Sequence, residues 1–227
     1  ETISLQRHLE LVRATGARLH VCRLSSAKGV DMIRQAKSEG LNVTCDVAVH
    51  HLHLTDMDIG FFDPRAHLIP PLREQRDLEA LRAGLVDGTI DAICSDHTPV
   101  DDDAKLLPFG ESEAGATGLE LLLTLTVKWA ESAGVPASKV VRWLSEYPAT
   151  ISGVQAGHLS PGMPADLTIF DPEHEWVVSP STLVSQGKHT PFSGFPMVGK
   201  VSETVVAGHI AFGQGCGANL SKAKAGK

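Results

Sequence analysis

The sequence predicts an α/β fold in two parts: a run of parallel (β/α) units, part of a (β/α)8 barrel, followed by a β-rich segment. Three observations predict it. Helical and strand patterns alternate from residue 1 to about residue 100, the signature of a parallel sheet with helical crossovers. The apolar run Ile90-Asp91-Ala92-Ile93-Cys94 leads directly into Ser95-Asp96-His97-Thr98-Pro99, which puts a carboxylate at a strand end. Catalytic groups of (β/α) barrels sit at such C-terminal strand ends. Beyond about residue 156, short strand patterns separated by Gly/Pro turns replace the alternation. We therefore divide the chain into a barrel-like segment, 1–155, and a β-rich segment, 156–227.

The elements follow from spacing. Leu5, Leu9 and Val12 form one apolar helical face that ends near Gly16, and Arg18–Cys22 reads as a strand. Val30, Ile33 and Ala36 place a helix over Ala27–Ser38, stopped by Gly40, and Leu41–Val47 is the next strand. Residues 48–75 form a Pro- and His-rich connection too long for a simple turn, with one candidate short strand at Ala66–Ile69. Leu78, Leu81 and Leu85 define a helix ended by Gly88, before the strand Ile90–Cys94. A further helix starts at Thr117, with Thr117 and Glu120 in capping-box register, and a short one spans Ser138–Trp143, ending before Pro148. Strands are expected at Asp166–Phe170, Glu175–Val178, Gly199–Val206 and His209–Phe212.

Composition narrows the function. With 227 residues, 42% hydrophobic and 21% charged, the chain is globular in type. A net charge of −7 without a Lys/Arg cluster argues against nucleic acid as a partner. The basic tail Lys222, Lys224 and Lys227 reads as a frayed terminus. No apolar stretch approaches the ~20 residues of a membrane span, and no signal-peptide pattern opens the chain, so a cytoplasmic location is expected without membrane contact. Cys22, Cys45, Cys94 and Cys216 show no paired spacing; the first three lie in strand patterns, where burial as reduced thiols is expected. Asp101-Asp102-Asp103 lacks the glycine and terminal glutamate of a calcium loop and reads as a solvated face. A barrel of this type needs eight strands and about 250 residues. The chain opens at Glu1, without Met, inside a helical pattern. It is expected to be the C-terminal part of a longer protein.

An aspartate at a strand end can bind a divalent metal and act as general base on metal-bound water, given His or carboxylate partners on neighbouring strand ends. The runs that supply such ends are His20-Val21-Cys22-Arg23-Leu24-Ser25-Ser26 and Cys45-Asp46-Val47-Ala48-Val49-His50-His51-Leu52. Together with Pro70-Pro71-Leu72-Arg73, Asp87 to Pro99 and Gly118-Leu119-Glu120, these runs resemble the C-terminal half of a type I dihydroorotase. Ser160 to Leu167 and Thr190-Pro191-Phe192-Ser193-Gly194 resemble the part of that family's β-sandwich that follows the barrel.

The resemblance implies the last strands, five to eight, of an amidohydrolase-type barrel. It also implies zinc-dependent interconversion of carbamoyl-aspartate and dihydroorotate in pyrimidine biosynthesis. Carried over residue by residue, it makes Asp96 the metal-binding catalytic base and His50 a second metal ligand. Val49 stands where the family has proline before that histidine. Arg23 stands where the family has a zinc-binding histidine, and a guanidinium has no lone pair to offer. Ile69 and Val100 replace a substrate-binding asparagine and histidine. These departures predict a degenerate site without bound zinc, in which Asp96 pairs with Arg23. His20 is then a structural histidine in the packing, and His50 a hydrogen-bonded remnant.

The family includes non-catalytic members that act as structural partners of aspartate transcarbamoylase, and that role, within an oligomer, is the expectation here. The alternative is a zinc-dependent dihydroorotase whose active form includes a preceding half. The edge formed by Leu19 and Val21 is expected to be exposed where another strand would pair. The isolated chain should therefore self-associate. A single monodisperse monomer in size-exclusion chromatography with light scattering would count against this.

Overall fold

The computed structural model describes residues 1–213; Cys216 and the basic tail lie outside the described residues. Helix α1 (Thr2–Thr15) buries Leu5, Leu9 and Val12 and ends at Gly16, whose φ of 68° is left-handed. Strand β1 (Leu19–Val21) leads to α2 (Ala27–Ser38), capped by the Ser26 side chain accepting from the Gly29 N–H. Strand β2 (Val43–Ala48), helix α3 (Gln75–Asp87) and strand β3 (Ala92–Cys94) complete the repeat. The three strands form one parallel sheet in the order β1-β2-β3.

Strand alternation gives this sheet two unlike faces. Val43, Cys45 and Val47 join Val30, Ile33, Leu81 and Leu85 in the apolar core beneath the helices. Leu19 and Val21 are half-buried against the same core. His20, Thr44 and Asp46 project from the opposite face. Cys22 was expected to be buried and is exposed, because it follows the last β1 residue on this polar side. Cys45 is buried as expected, and burial pushes its thiol up to about 12.

Four local expectations are corrected. Ala66–Ile69 is not a strand: Asp63 accepts from the Arg65 N–H and starts a single 3-10 turn at Pro64–Ala66. The helix expected from Thr117 begins as a 3-10 turn (Leu119–Leu121) and becomes α4 (Leu122–Ser132). Thr117 and Glu120 do not cap it. The Thr117 hydroxyl donates to the Gly187 carbonyl at 2.6 Å, and Glu120 accepts from the backbone of Val184 and Ser185 at 2.6 and 2.7 Å. Tertiary partners therefore outcompete the local cap.

The short helix does not stop before Pro148. Helix α5 (Ala137–Val141) passes through a π turn (Arg142–Glu146) into α6 (Tyr147–Ser152). Pro148 falls in the first turn of α6, where a missing N–H costs least. Finally, the two strands expected between 166 and 178 are one, β4 (Leu167–Val177), irregular between Asp171 and Glu175. Pro172 lies in that irregular stretch and cannot donate to the ladder.

Strand β4 pairs antiparallel with β5 (Pro196–Val206), which pairs with β6 (His209–Phe212). The connection from Val178 to Phe195 returns to the barrel-like segment. Thr117 N–H donates to the His189 carbonyl at 2.7 Å, and Phe192 is completely buried against His50. Among the described residues, Phe192 has the bulkiest of the fully buried side chains. Phe192→Ala should lower unfolding free energy by about 3–5 kcal/mol, read as an earlier urea midpoint at unchanged slope. A loss below about 1 kcal/mol would mean that this connection does not bind the two segments together.

Candidate functional site

Parallel pairing points the C-terminal ends of β1, β2 and β3 to one side, where Arg23, His50 and Asp96 follow in turn. Arg23 Nη1 donates to Asp96 Oδ1 at 2.9 Å and to the Ile69 carbonyl at 3.0 Å. This is the pairing that the Arg23 departure predicts. The Asp96 side chain is 8% exposed and that of Arg23 41%, so the pair lies at the rim of the mouth, not within the core. Both residues have left-handed backbones, φ 56° at Arg23 and 45° at Asp96. Aspartate tolerates this conformation; for arginine it costs roughly 1–2 kcal/mol. Ile69 is exposed and Val100 is buried, so neither offers a polar group to the mouth.

His50 is completely buried, and neither ring nitrogen has a hydrogen-bond partner. The expectation of a hydrogen-bonded remnant is thus corrected: the 3-10 turn Val49–Leu52 drives this ring inward. It lies 5.6 Å from the Phe192 ring, centroid to centroid. Gly118 closes the other side. A Cβ there would come within 2.4 Å of the Ser95 carbonyl and 2.9 Å of His50 Cε1, so only glycine fits. Burial, helped by His51 and His53, pushes His50 down to about 3. His53 donates to the Leu125 carbonyl at 2.9 Å and is lowered by burial to about 4. His51 is lowered too, mainly by burial, against the opposing pull of the Pro71 carbonyl. His97 turns away: its Nδ1 accepts from the backbone N–H of Gly118 and Leu119 at 3.2 and 3.3 Å.

The most connected polar group lies on the polar face of the sheet. His20 Nε2 is 2.9 Å from Asp46 Oδ2, and His20 Nδ1 is 2.8 Å from Thr44 Oγ1. Asp46 Oδ1 accepts from the Arg23 backbone N–H at 2.8 Å. His20, expected as a structural histidine, is thus hydrogen-bonded at both ring nitrogens within a polar cluster. Cys22 completes a set in which the His20, Cys22 and Asp46 donor atoms all lie within 4.8 Å of one another. Among the described residues it is the one such grouping of three, and neither His50 nor Asp96 belongs to it. The sequence carried a signal for this cluster: polar residues at period two in both strands, His20/Cys22 and Thr44/Asp46.

The donors at the mouth do not fit zinc at Asp96. A permanently protonated guanidinium occupies the carboxylate, and His50 is enclosed between Phe192 and Gly118.

A model of the amidohydrolase family matches residues 3–211. The chain belongs to the amidohydrolase family. Within it the chain is dihydroorotase-like. It is 41% identical over 212 residues to a dihydroorotase of Syntrophus aciditrophicus, covering 93% of this chain and 50% of the relative. A dihydroorotase of Lactiplantibacillus plantarum is 39% identical, with 94% and 50% covered. A dihydroorotase-like protein of Pseudomonas aeruginosa is 40% identical, with 92% and 49% covered. Among solved structures, a D-hydantoinase (dihydropyrimidinase) from Thermus sp. superimposes with a TM-score of 0.86 at 27% identity, covering 93% of this chain and 48% of that one. An L-hydantoinase from Arthrobacter aurescens gives 0.83 at 30% identity, with 92% and 48% covered. The amidohydrolase fold is thus that of a barrel with an accompanying sheet. The chain spans about half the length of the relatives it matches.

The buried histidines set the response to acid. The folded value of His50 is about 3 against an ordinary 6.5, so below pH 6.5 the unfolded chain binds a proton that the folded one refuses. Stability is therefore full above pH 6.5 and falls as the pH drops toward 3, by up to about 1.4 kcal/mol per pH unit for each such histidine. His53 contributes in the same direction down to about 4. Urea midpoints measured from pH 7 to pH 5 should fall accordingly. His50→Leu should remove about one proton from that slope and leave neutral-pH stability equal or higher, since it deletes unpaired buried polar atoms. An unchanged slope would show that His50 is accessible to protons in the folded state.

Proposed function

We propose that this amidohydrolase chain is part of a dihydroorotase-like protein that has exchanged turnover for assembly, acting in pyrimidine biosynthesis as a structural partner of aspartate transcarbamoylase in the cytoplasm. The observation that carries the reading is the Arg23–Asp96 pair at 2.9 Å. In this family a bound zinc ion would supply the chemistry of cyclic-amide hydrolysis, and Asp96 would have to be free to help hold it and to receive a proton. Here its carboxylate neutralises a guanidinium that has taken a ligand's place. One oxygen of that carboxylate is already committed to the arginine hydrogen bond.

Partner binding is consistent with the apolar loop at the mouth. Met57, Phe61 and Phe62 are strongly exposed there, and Phe62 sits edge-on to Phe109 at 6.0 Å. Among the described residues no helix is long and apolar enough to cross a membrane.

One observation favours the alternative, a zinc-dependent dihydroorotase completed by a preceding half: the two unpaired ring nitrogens of His50. A buried polar atom without a protein partner calls for an explanation, and a role as metal ligand is one.

Assay of the full-length protein with dihydroorotate and carbamoyl-aspartate separates the two readings. The scaffold reading expects no turnover with or without added zinc, and no change in Asp96→Asn. Zinc-supported turnover that Asp96→Asn abolishes would overturn it. On co-expression, the protein and the cognate transcarbamoylase should co-elute. Independent migration, with the transcarbamoylase fully stable alone, would remove the assembly role.

A further inference from the structure

We propose that His20, Cys22 and Asp46 form a binding site for a thiophilic divalent cation of the zinc class, on the polar face of the parallel sheet. Their donor atoms are a nitrogen, a sulfur and an oxygen within 4.8 Å of one another. The site uses neither His50 nor Asp96.

The register builds it. His20 and Cys22 are two residues apart and share a face of the chain leaving β1, while His20 pairs with Thr44 and Val21 with Cys45. Asp46 is thereby brought beside Cys22, one step beyond the paired residues. Tetrahedral zinc holds such ligands at about 2.0–2.3 Å, which places donor atoms roughly 3.3–3.8 Å apart. His20 Nε2 and Asp46 Oδ2, at 2.9 Å, need to open by only about half an ångström. Cys22 is exposed and at the end of its strand, so its side chain is free to close the remaining gap.

The supporting contacts also suit a metal. A ligating imidazole is normally oriented by a hydrogen bond from its other nitrogen, and Thr44 Oγ1 stands 2.8 Å from His20 Nδ1. The Arg23 backbone N–H fixes Asp46 Oδ1 at 2.8 Å and leaves Oδ2 for the ion. Proton accounting closes. The Cys22 thiol releases one proton to solvent. His20 would bind the ion through Nε2 with a proton on Nδ1, donated to the Thr44 hydroxyl. A water supplies the fourth position. Arg23 is the nearby cation, and its charge is already matched by Asp96.

Cobalt(II) alone serves as the probe, added to the reduced full chain after chelator treatment. One equivalent should bind and give the intense near-ultraviolet band of a thiolate–cobalt bond. Cys22→Ser should abolish that band and weaken binding more than about ten-fold, and Thr44→Val should weaken it about ten-fold while keeping the band. Because Cys22 is exposed, Cys22→Ser should melt at the same temperature as the parent without metal, which separates loss of a ligand from loss of fold. His20→Gln should behave like Cys22→Ser. Absence of a stoichiometric cobalt ion would overturn the proposal, as would a band that survives Cys22→Ser. Cobalt binding lost in His50→Leu or Asp96→Asn but kept in Cys22→Ser would place the metal at the mouth instead.

Discussion

The parallel register of β1, β2 and β3 is the constraint on which the rest depends. It places every strand end on one side and sorts alternate residues to opposite faces. One face supplies Val43, Cys45 and Val47 to the core under α2 and α3. The other gathers His20, Thr44 and Asp46 into a polar strip that leads up to Arg23 and Asp96. A slip of one residue would bury the strip and expose the core, so the apolar pattern of β2 holds the chemistry in place.

Charge at the mouth is self-contained. Arg23 spans from Asp96 to the Ile69 carbonyl, and its own backbone N–H holds Asp46. One residue therefore links the carboxylate at the rim to the carboxylate on the sheet. Since Arg23 is substantially exposed, the ion pair adds little net stability in salt. Its effect is on chemistry, through the positive charge and the one hydrogen bond that it commits to Asp96.

The histidines show how environment assigns roles to one residue type. His20 is partly buried and bonded at both nitrogens, whereas His50 is fully buried and bonded at neither. His53 and His97 each use one nitrogen against backbone groups and so fix the loops around the mouth. Only the first of these rings has acidic, sulfur and hydroxyl neighbours together.

The sequence alone determined the helix–strand alternation, the strand ends and the family. These depend on local periodicity and on short motifs whose residues are adjacent in the chain. It also foretold the Arg23–Asp96 pair, because two opposite charges at strand ends on the same side of a parallel sheet, one strand apart, are within reach of each other across the mouth. Only the tertiary structure decided that Thr117 and Glu120 would abandon a helix cap for the 184–187 segment, that Phe192 would cover His50, and that Cys22 would face outward beside Asp46. Those outcomes join residues as many as 142 positions apart, as with His50 and Phe192. The physical reason is that a local pattern specifies which face of an element is apolar, whereas the partner of a polar or aromatic group is set by what the packed elements bring within about 3–6 Å of it.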